Sequence, residues 1–336
     1  MGITVFGAGA IGGVTGGCAA LAGEDVTFVD KVGEHVKRLN EEGLRITGVR
    51  GEHKVKVKAL EPKQLRGNLD LVLLCVKSQD TVASMESLLP HIGPDSTVVS
   101  LQNGINEPVI ASYIGPERTV GCFVNWSADY HGPGHIEHGG EGTFHIGEMD
   151  GSITQRLSRI QGILSHTATT HITDNIFGFL WSKQISAGFY IANALGTSTM
   201  SALLDEHRYR PIFLALLREG VAVAKAAGVK LETYPGFDPL PLVDGDPKQT
   251  DAIFDKWADH YRHDLKVYSG AWRDVAVRKR PTEVDYLNGL IVEKGKELGV
   301  PTPLNERLVS LIKDVESGRR KQDDANFMEF EALLQI

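Results

Sequence analysis

A glycine cluster carries the clearest chemical signal in the chain. Gly7-Ala8-Gly9-Ala10-Ile11-Gly12 follows the β-branched run Ile3 to Phe6 and leads into a small-residue stretch through Ala20. A strand that turns in this way into a helix builds a pyrophosphate site. The first glycine allows the tight turn, the second lets backbone approach the phosphates, and the third packs the helix closely on the strand. The N–H groups at the helix N-terminus then face the negative charge. A second run, Val26 to Val29, ends at Asp30, 18 residues beyond Gly12. A carboxylate there accepts hydrogen bonds from adenosine ribose hydroxyls and repels a 2′-phosphate. Lys31 beside it is the alternative, a cation able to hold that phosphate. The pattern predicts an NAD(P) site on Gly7, Ala8, Gly9, Ala10, Ile11, Gly12 and Asp30, with NAD(H) favoured over NADP(H).

Such a turn needs a parallel sheet to hold it. From Ile3 to about Gly121 the sequence alternates short apolar runs with helical segments, the further runs being Leu71 to Val76 and Thr97 to Leu101. That alternation predicts a doubly wound α/β sheet. Phe123 to Glu148, rich in Gly and His, reads as antiparallel strands closing the same domain. From about Gln155 long amphipathic helical patterns take over, including Pro211 to Ala227 and Thr282 to Leu298, with no further clear strands. Pro235, Pro239, Pro241 and Pro247 mark an irregular stretch between two of these helices, a surface loop or a lid. The expected fold is therefore α/β: an N-terminal Rossmann-type doubly wound sheet plus a C-terminal all-helical domain. The expected domains are a dinucleotide-binding domain, 1–175, and a substrate-binding domain, 176–336.

Bulk properties narrow the function classes. A chain of 336 residues exceeds what one core usually supports, and 42% hydrophobic with 23% charged residues is an ordinary globular composition. Forty-three acidic against 35 basic side chains, a formal charge of -8, give no footprint for nucleic acid. Cys18, Cys75 and Cys122 are widely spaced in apolar runs and fit a reducing compartment rather than a disulfide framework. Strand-like residues from Ile3 leave no room for a signal segment, and no apolar run reaches the roughly 18 residues of a membrane span. The expectation is a cytoplasmic protein with no membrane partner. His131, His135, His138 and His145 lack an evident set of acidic or thiolate co-ligands, so no metal site is expected.

Further along the chain stand Cys75-Val76-Lys77-Ser78, Leu101-Gln102-Asn103-Gly104, Trp181-Ser182-Lys183 and Thr282-Glu283-Val284-Asp285-Tyr286-Leu287-Asn288-Gly289. With the glycine hexapeptide, in this order and spacing, the chain resembles the ketopantoate reductases, or 2-dehydropantoate 2-reductases, almost end to end. The resemblance implies a substrate cleft between a Rossmann and a helical domain, and hydride transfer from NAD(P)H to the C2 carbonyl of a 2-oxo acid. It implies Lys183 as catalytic acid, Asn103 near nicotinamide and substrate, Lys77 lining the same cleft, and Glu283 bonding a distal substrate hydroxyl. The residue types suit those roles. An ammonium able to donate a proton stabilises the charge that builds on a ketone oxygen during reduction. Lys77 and Asn103 fall just beyond the carboxyl ends of two strands, where open α/β sheets bind ligands. Each has a plainer reading as well: a solvated helix lysine at 183, an exposed loop cation at 77, turn chemistry in the Asn103-Gly104 pair. For Glu283 it is a first-turn acid in an N-cap box formed by Thr282 and Asp285.

The sequence also departs from the family. Members usually carry asparagines one and two turns after the catalytic lysine, where this chain has Ala187 and Ile191. Asn193 follows ten residues after Lys183, off that face unless the helix bulges. A Ser-Ser-Met motif that meets the substrate carboxylate is replaced by Ser269-Gly270-Ala271-Trp272-Arg273-Asp274, leaving Ser269 or Arg273 for the anion. The expected partner is thus a small 2-oxo or 2-hydroxy acid, with catalytic residues Lys183, Glu283 and Asn103, and substrate contacts from Asn193, Ser269, Arg273 and Glu283. Two rival readings are an NAD-dependent dehydrogenase run towards oxidation and a non-catalytic dinucleotide-binding redox sensor. The apolar faces of the helical domain leave a homodimer open.

Overall fold

The structure is a computed structural model and describes residues 2–263 and 266–334. Its contacts divide the chain into two compact units, Met1–Phe177 and Gly178–Ile336.

The first unit holds strands β1 (Ile3–Phe6), β2 (Val26–Val29), β3 (Leu44–Gly48), β4 (His53–Val55), β5 (Lys58–Leu60), β6 (Leu69–Leu74), β7 (Ile92–Ser100), β8 (Thr119–Gly132), β9 (His135–Glu148) and β10 (Thr169–Ile172). Its helices are α1 (Ala10–Leu21), α2 (Gly33–Glu42), α3 (Thr81–Leu88), α4 (Glu107–Ile114) and α5 (Gln155–Leu164). Strands β5, β2, β1, β6, β7 and β8 lie side by side in that order and run parallel. The chain steps from β1 outward to β2 and later crosses to β6 on its other side. That reversal opens a crevice at the carboxyl ends of β1 and β6, the place where such sheets bind ligands. Strand β9 runs antiparallel to β8 and parallel to β3 and β10.

Burial explains why the central strands read as unbroken apolar runs. In β6, Leu71 and Leu73 enter one core with Val5 and Phe28, while Val72 and Leu74 enter the other with Phe6 and Val29. Successive side chains point to opposite faces, and helices cover both, so neither face can be polar.

Several expectations need correcting. β6 begins and ends two residues earlier than its apolar run, and β7 extends back to Ile92. The short strands β3, β4 and β5 were not expected; three to five residues long, they give too brief a pattern to stand out beside the helix α2 that precedes them. β10 lies beyond Gln155, where no strand was expected: a four-residue partner of β9 built from Thr and His, with one apolar residue to signal it.

The second unit carries α6 (Ile176–Ala192), whose first two residues belong to the first unit, then α7 (Met200–Asp205), α8 (Arg210–Ala226), α9 (Pro239–Asp244), α10 (Pro247–His263), α11 (Gly270–Ala276), α12 (Asn288–Leu298), α13 (Pro303–Glu316) and α14 (Glu331–Leu334). Phe189 of α6 packs on Phe213 of α8 and Trp257 of α10. The proline-rich stretch is not a loop or lid throughout, because Pro239 and Pro247 each open a helix. Proline fits a first helical turn, where its missing N–H has no intrahelical partner to lose. No helix among the described residues is long and apolar enough to cross a membrane.

Candidate active site

The glycine turn is built as its spacing predicts. Gly7 has φ +98°, and a Cβ there would lie 2.9 Å from backbone atoms of Cys75 and Val76. A Cβ at Gly12 would fall 2.0 Å from the Gly7 carbonyl oxygen and 2.9 Å from Val5 and Cys75. At Gly9 it would meet nothing within 4 Å. So two glycines let α1 and β6 close on β1, and the third leaves the outer side of the turn open above the N-terminus of α1. That arrangement fits a bound pyrophosphate.

Two side chains clamp the turn from either side of one residue. Asp30 Oδ2 accepts the Ala8 N–H at 2.8 Å, and Asp30 Oδ1 accepts the Val32 N–H at 2.9 Å. The buried ring of His35 completes the clamp. The Gly134 N–H donates to its Nδ1 at 2.9 Å, so Nε2 carries the proton and donates to the Ala8 carbonyl at 2.9 Å. Asp30 is therefore structural, and each of its oxygens keeps a further lone pair able to accept. Lys31, the alternative phosphate holder, pairs with Asp80 at 2.7 Å.

Lys77 and Asn103 stand on adjacent loops that the structure stitches together. Ser78 Oγ donates to the Asn103 carbonyl at 2.7 Å, and the Asn106 amide donates to the same carbonyl at 2.7 Å and to Ser78 Oγ at 3.1 Å. Gln102 Nε2 donates to the Val76 carbonyl at 3.1 Å and to Thr81 Oγ1 at 2.8 Å. Ser78, Thr81, Gln102 and Asn106 are buried, whereas Lys77 is half-buried and Asn103 exposed. Four buried polar groups thus present two accessible ones at the carboxyl ends of β6 and β7. Beneath the same loop Glu107 is fully buried, and burial pushes its carboxyl up to about 7.

In the helical unit, α6 presents Lys183. Every residue between Gly178 and Gly196 is buried except Lys183 and Tyr190, which are half-buried. The next side chain, Gln184, donates to the carbonyls of Tyr286 and Leu287 at 3.1 and 2.6 Å. The Tyr286 and Leu287 N–H groups both donate to the Glu283 carbonyl at 3.0 Å. That chain of bonds fixes the Glu283 turn against the Lys183 turn of α6. Glu283 itself is 8% exposed.

The alternative reading of Thr282 and Asp285 as an N-cap box is not met. Helix α12 starts only at Asn288; the N–H and hydroxyl of Thr282 donate to Glu316 at 2.7 and 2.6 Å, its Oγ1 accepts the Val284 N–H at 3.2 Å, and Asp285 pairs with Lys313. Nor does α6 bulge to bring Asn193 onto the face of Lys183. The helix runs to Ala192, and Asn193 opens a single 3₁₀ turn with its amide committed to backbone. Its Nδ2 donates to the Ser198 carbonyl and its Oδ1 accepts the Ser269 N–H, both at 3.0 Å. Asn193 therefore positions Ser269. Ser269 is buried and caps α11, its Oγ accepting the Trp272 N–H at 3.1 Å, and Arg273 lies one turn on, half-buried.

The histidines take part in local packing. His131 bonds Glu137 at 2.7 Å and stacks on His135, His138 packs edge-on against Trp126, and His145 lies between Phe123 and His171. Among the described residues no group of three or more His, Cys, Asp or Glu is arranged to hold a metal ion. His35, Asn106, Gln184 and Tyr190 were not singled out from sequence, and Ser78 only as a member of the Cys75-Val76-Lys77-Ser78 motif. Tyr190 had a local signal in its spacing of seven from Lys183.

Comparison with known proteins bears on both units. The family model "Ketopantoate reductase PanE/ApbA" matches residues 3–151, and "Ketopantoate reductase PanE/ApbA C terminal" matches 175–316. The 2-dehydropantoate 2-reductase of Pyrococcus abyssi is 31% identical over 324 residues, 94% of this chain and 98% of that one. The enzyme of that name from Archaeoglobus fulgidus is 27% identical over 320 residues, with the same coverage. Among solved structures, a ketopantoate reductase of Ralstonia eutropha superimposes with a TM-score of 0.80 at 29% identity, covering 95% of this chain and 99% of that one. A D-mandelate dehydrogenase solved with NADH and anilino(oxo)acetate shares the fold, with a TM-score of 0.82 at 24% identity and the same coverage. With both halves matched by one family and full-length relatives bearing one name, the chain belongs to the ketopantoate reductase family and is an oxidoreductase of the 2-dehydropantoate 2-reductase type.

Proposed function

We propose that the protein reduces the C2 carbonyl of a 2-oxo acid with NADH, and that Lys183 is the proton donor. Residues 1–175 hold the dinucleotide and residues 176–336 the acid. When bound, the reduced nicotinamide supplies the hydride. Negative charge builds on the carbonyl oxygen as C2 is reduced; the Lys183 ammonium stabilises that charge and gives up a proton to complete the alcohol. Asn103 and Lys77 line the nicotinamide end, Glu283 accepts from a substrate hydroxyl, and Ser269 and Arg273 meet the carboxylate. Asn193 acts through Ser269.

The observation that carries this reading is the setting of Lys183: a half-buried ammonium on a stretch of helix where only Tyr190 is likewise half-buried, beside a turn that Gln184 fastens in place. Lys183→Ala is expected to lower kcat about a hundredfold or more, the order expected for loss of a general acid. An unchanged kcat removes the assignment. The preference for NADH rests on Asp30, whose charge opposes a 2′-phosphate, with Lys31 engaged by Asp80. Comparing kcat/KM for NADH and NADPH decides it, and a roughly tenfold preference for NADPH reverses the proposal.

A further inference from the structure

Tyr190 is the second residue that α6 leaves uncovered between Gly178 and Gly196. It follows Lys183 by seven residues, almost two turns, so the two side chains leave the helix about 20° apart, with Cα atoms about 10 Å apart along the axis. Ala187 lies between them on that face and reaches no further than a methyl group. One narrow face of an otherwise sealed stretch therefore offers an ammonium at one end and an aromatic ring at the other.

The ring is held in place. The hydroxyls of Tyr190 and Tyr261 lie 2.6 Å apart. Tyr261 and Trp257, both buried on α10, meet the Tyr190 ring edge-on, with centroids at 6.3 and 6.2 Å. Phe189 adjoins it at 5.7 Å and is itself fully buried against Phe213 and Trp257. A ring braced by a buried aromatic block loses little conformational freedom when a ligand packs on it. That separates Tyr190 from an ordinary surface tyrosine.

We infer that Tyr190 is a specificity-determining residue of the substrate site, and that its ring contacts the side chain of the 2-oxo acid whose carbonyl is served by Lys183. An aryl or otherwise flat, unsaturated side chain gains there a stacking or edge contact that a short aliphatic chain lacks. The inference rests on the reading of Lys183 as proton donor.

The test uses the intact protein with NADH and two probes, phenylpyruvate and 2-oxobutyrate, in wild type, Tyr190→Ala, Tyr190→Phe, Tyr261→Phe and Lys183→Ala. The ratio of kcat/KM for phenylpyruvate to that for 2-oxobutyrate is expected to fall about tenfold in Tyr190→Ala, mainly through KM for phenylpyruvate. It should be lowered only in part, and to a similar extent, in Tyr190→Phe and Tyr261→Phe, each of which keeps an aromatic ring at position 190 but removes the hydroxyl pair that braces it. Should Tyr190→Ala fail to fold, the Tyr261→Phe ratio decides. A purely structural role for Tyr190 lowers both substrates together and leaves the ratio unchanged, and that result overturns the inference. Lys183→Ala separates the two readings: if it is inactive on both acids while the Tyr190 ratio does not move, the Lys183 reading stands and the inference alone fails. If Lys183→Ala stays active, the Lys183 reading fails and the inference falls with it.

Discussion

Ser78 gives its hydroxyl proton to the main-chain carbonyl of Asn103 at 2.7 Å, tying the loop after β6 to the loop after β7. The bond is part of a buried network with Asn106, so removing one member leaves others without partners, and the loss exceeds that of an exposed bond. Ser78→Ala is expected to cost about 1–2 kcal/mol of stability in urea unfolding. Because it also loosens the backbone that carries Asn103, kcat should fall several-fold. A stability loss with unchanged kcat would place Asn103 outside the reacting site.

The glycines of the phosphate turn make a paired prediction, because they stand in opposite surroundings. Gly12→Ala drives a methyl group into the Gly7 carbonyl and the Val5 side chain, which forces α1 off β1. Overpacking of this kind costs about 1–3 kcal/mol or more. Gly9→Ala meets open space and fits the extended φ of -68° at that position, so unfolding should shift little. Its methyl group instead occupies the side where the pyrophosphate approaches, and the Kd for NADH measured by fluorescence titration should rise about tenfold or more. If Gly9→Ala binds NADH as wild type does, the phosphates do not lie over this turn.

How much of this was legible in the sequence follows from how far apart the partners lie. The glycine turn is readable because missing Cβ atoms leave a mark at fixed short spacing. The clamp on Ala8 is not, because His35 and Gly134 reach it from 27 and 126 residues away and no spacing rule connects them. The same holds for Ser78 with Asn103 and for Gln184 with the turn that carries Glu283. Strands β5 and β10 escape periodicity because three or four residues are too few to show it, whereas Leu44-Arg45-Ile46-Thr47 in β3 does alternate buried apolar with polar residues but follows directly on the helical pattern of α2. Proline is ambiguous for a physical reason: a fixed φ that breaks a helix interior suits a helix start, so Pro239 and Pro247 read as breakers until the chain on either side is seen. Thr282 resembles an N-cap in sequence, and only the fold shows that its turn is fastened to Glu316, 34 residues away, and that the helix begins at Asn288 instead.

Glu107 makes the last prediction, a pH dependence whose sign can be worked out. It sits in the first turn of α4, fully buried, with the Ser100 hydroxyl and the backbone N–H groups of Asn106 and Glu107 near its carboxyl. Desolvation outweighs the pull of the helix N-terminus and of Ser100, and the carboxyl titrates at about 7 instead of its usual 4.5. Below the unfolded value both states are protonated. As pH rises towards about 7 the native state keeps a proton that the unfolded chain has already lost, so stability falls with rising pH. Above that value both states are ionised and the loss is complete, on the order of 3 kcal/mol. His145 tilts the other way: burial, helped by His171, pushes its imidazole down to about 4, so its contribution is lost as pH falls from the ordinary histidine range towards that value. The comparison that isolates Glu107 is wild type against Glu107→Gln, unfolded in urea at pH 5 and at pH 8. A glutamine side chain at this position cannot ionise, so the variant should be closer to wild type, or less stable, at pH 5 and more stable at pH 8. Equal changes in the two proteins between those pH values would show that Glu107 is ionised in the folded state at neutral pH.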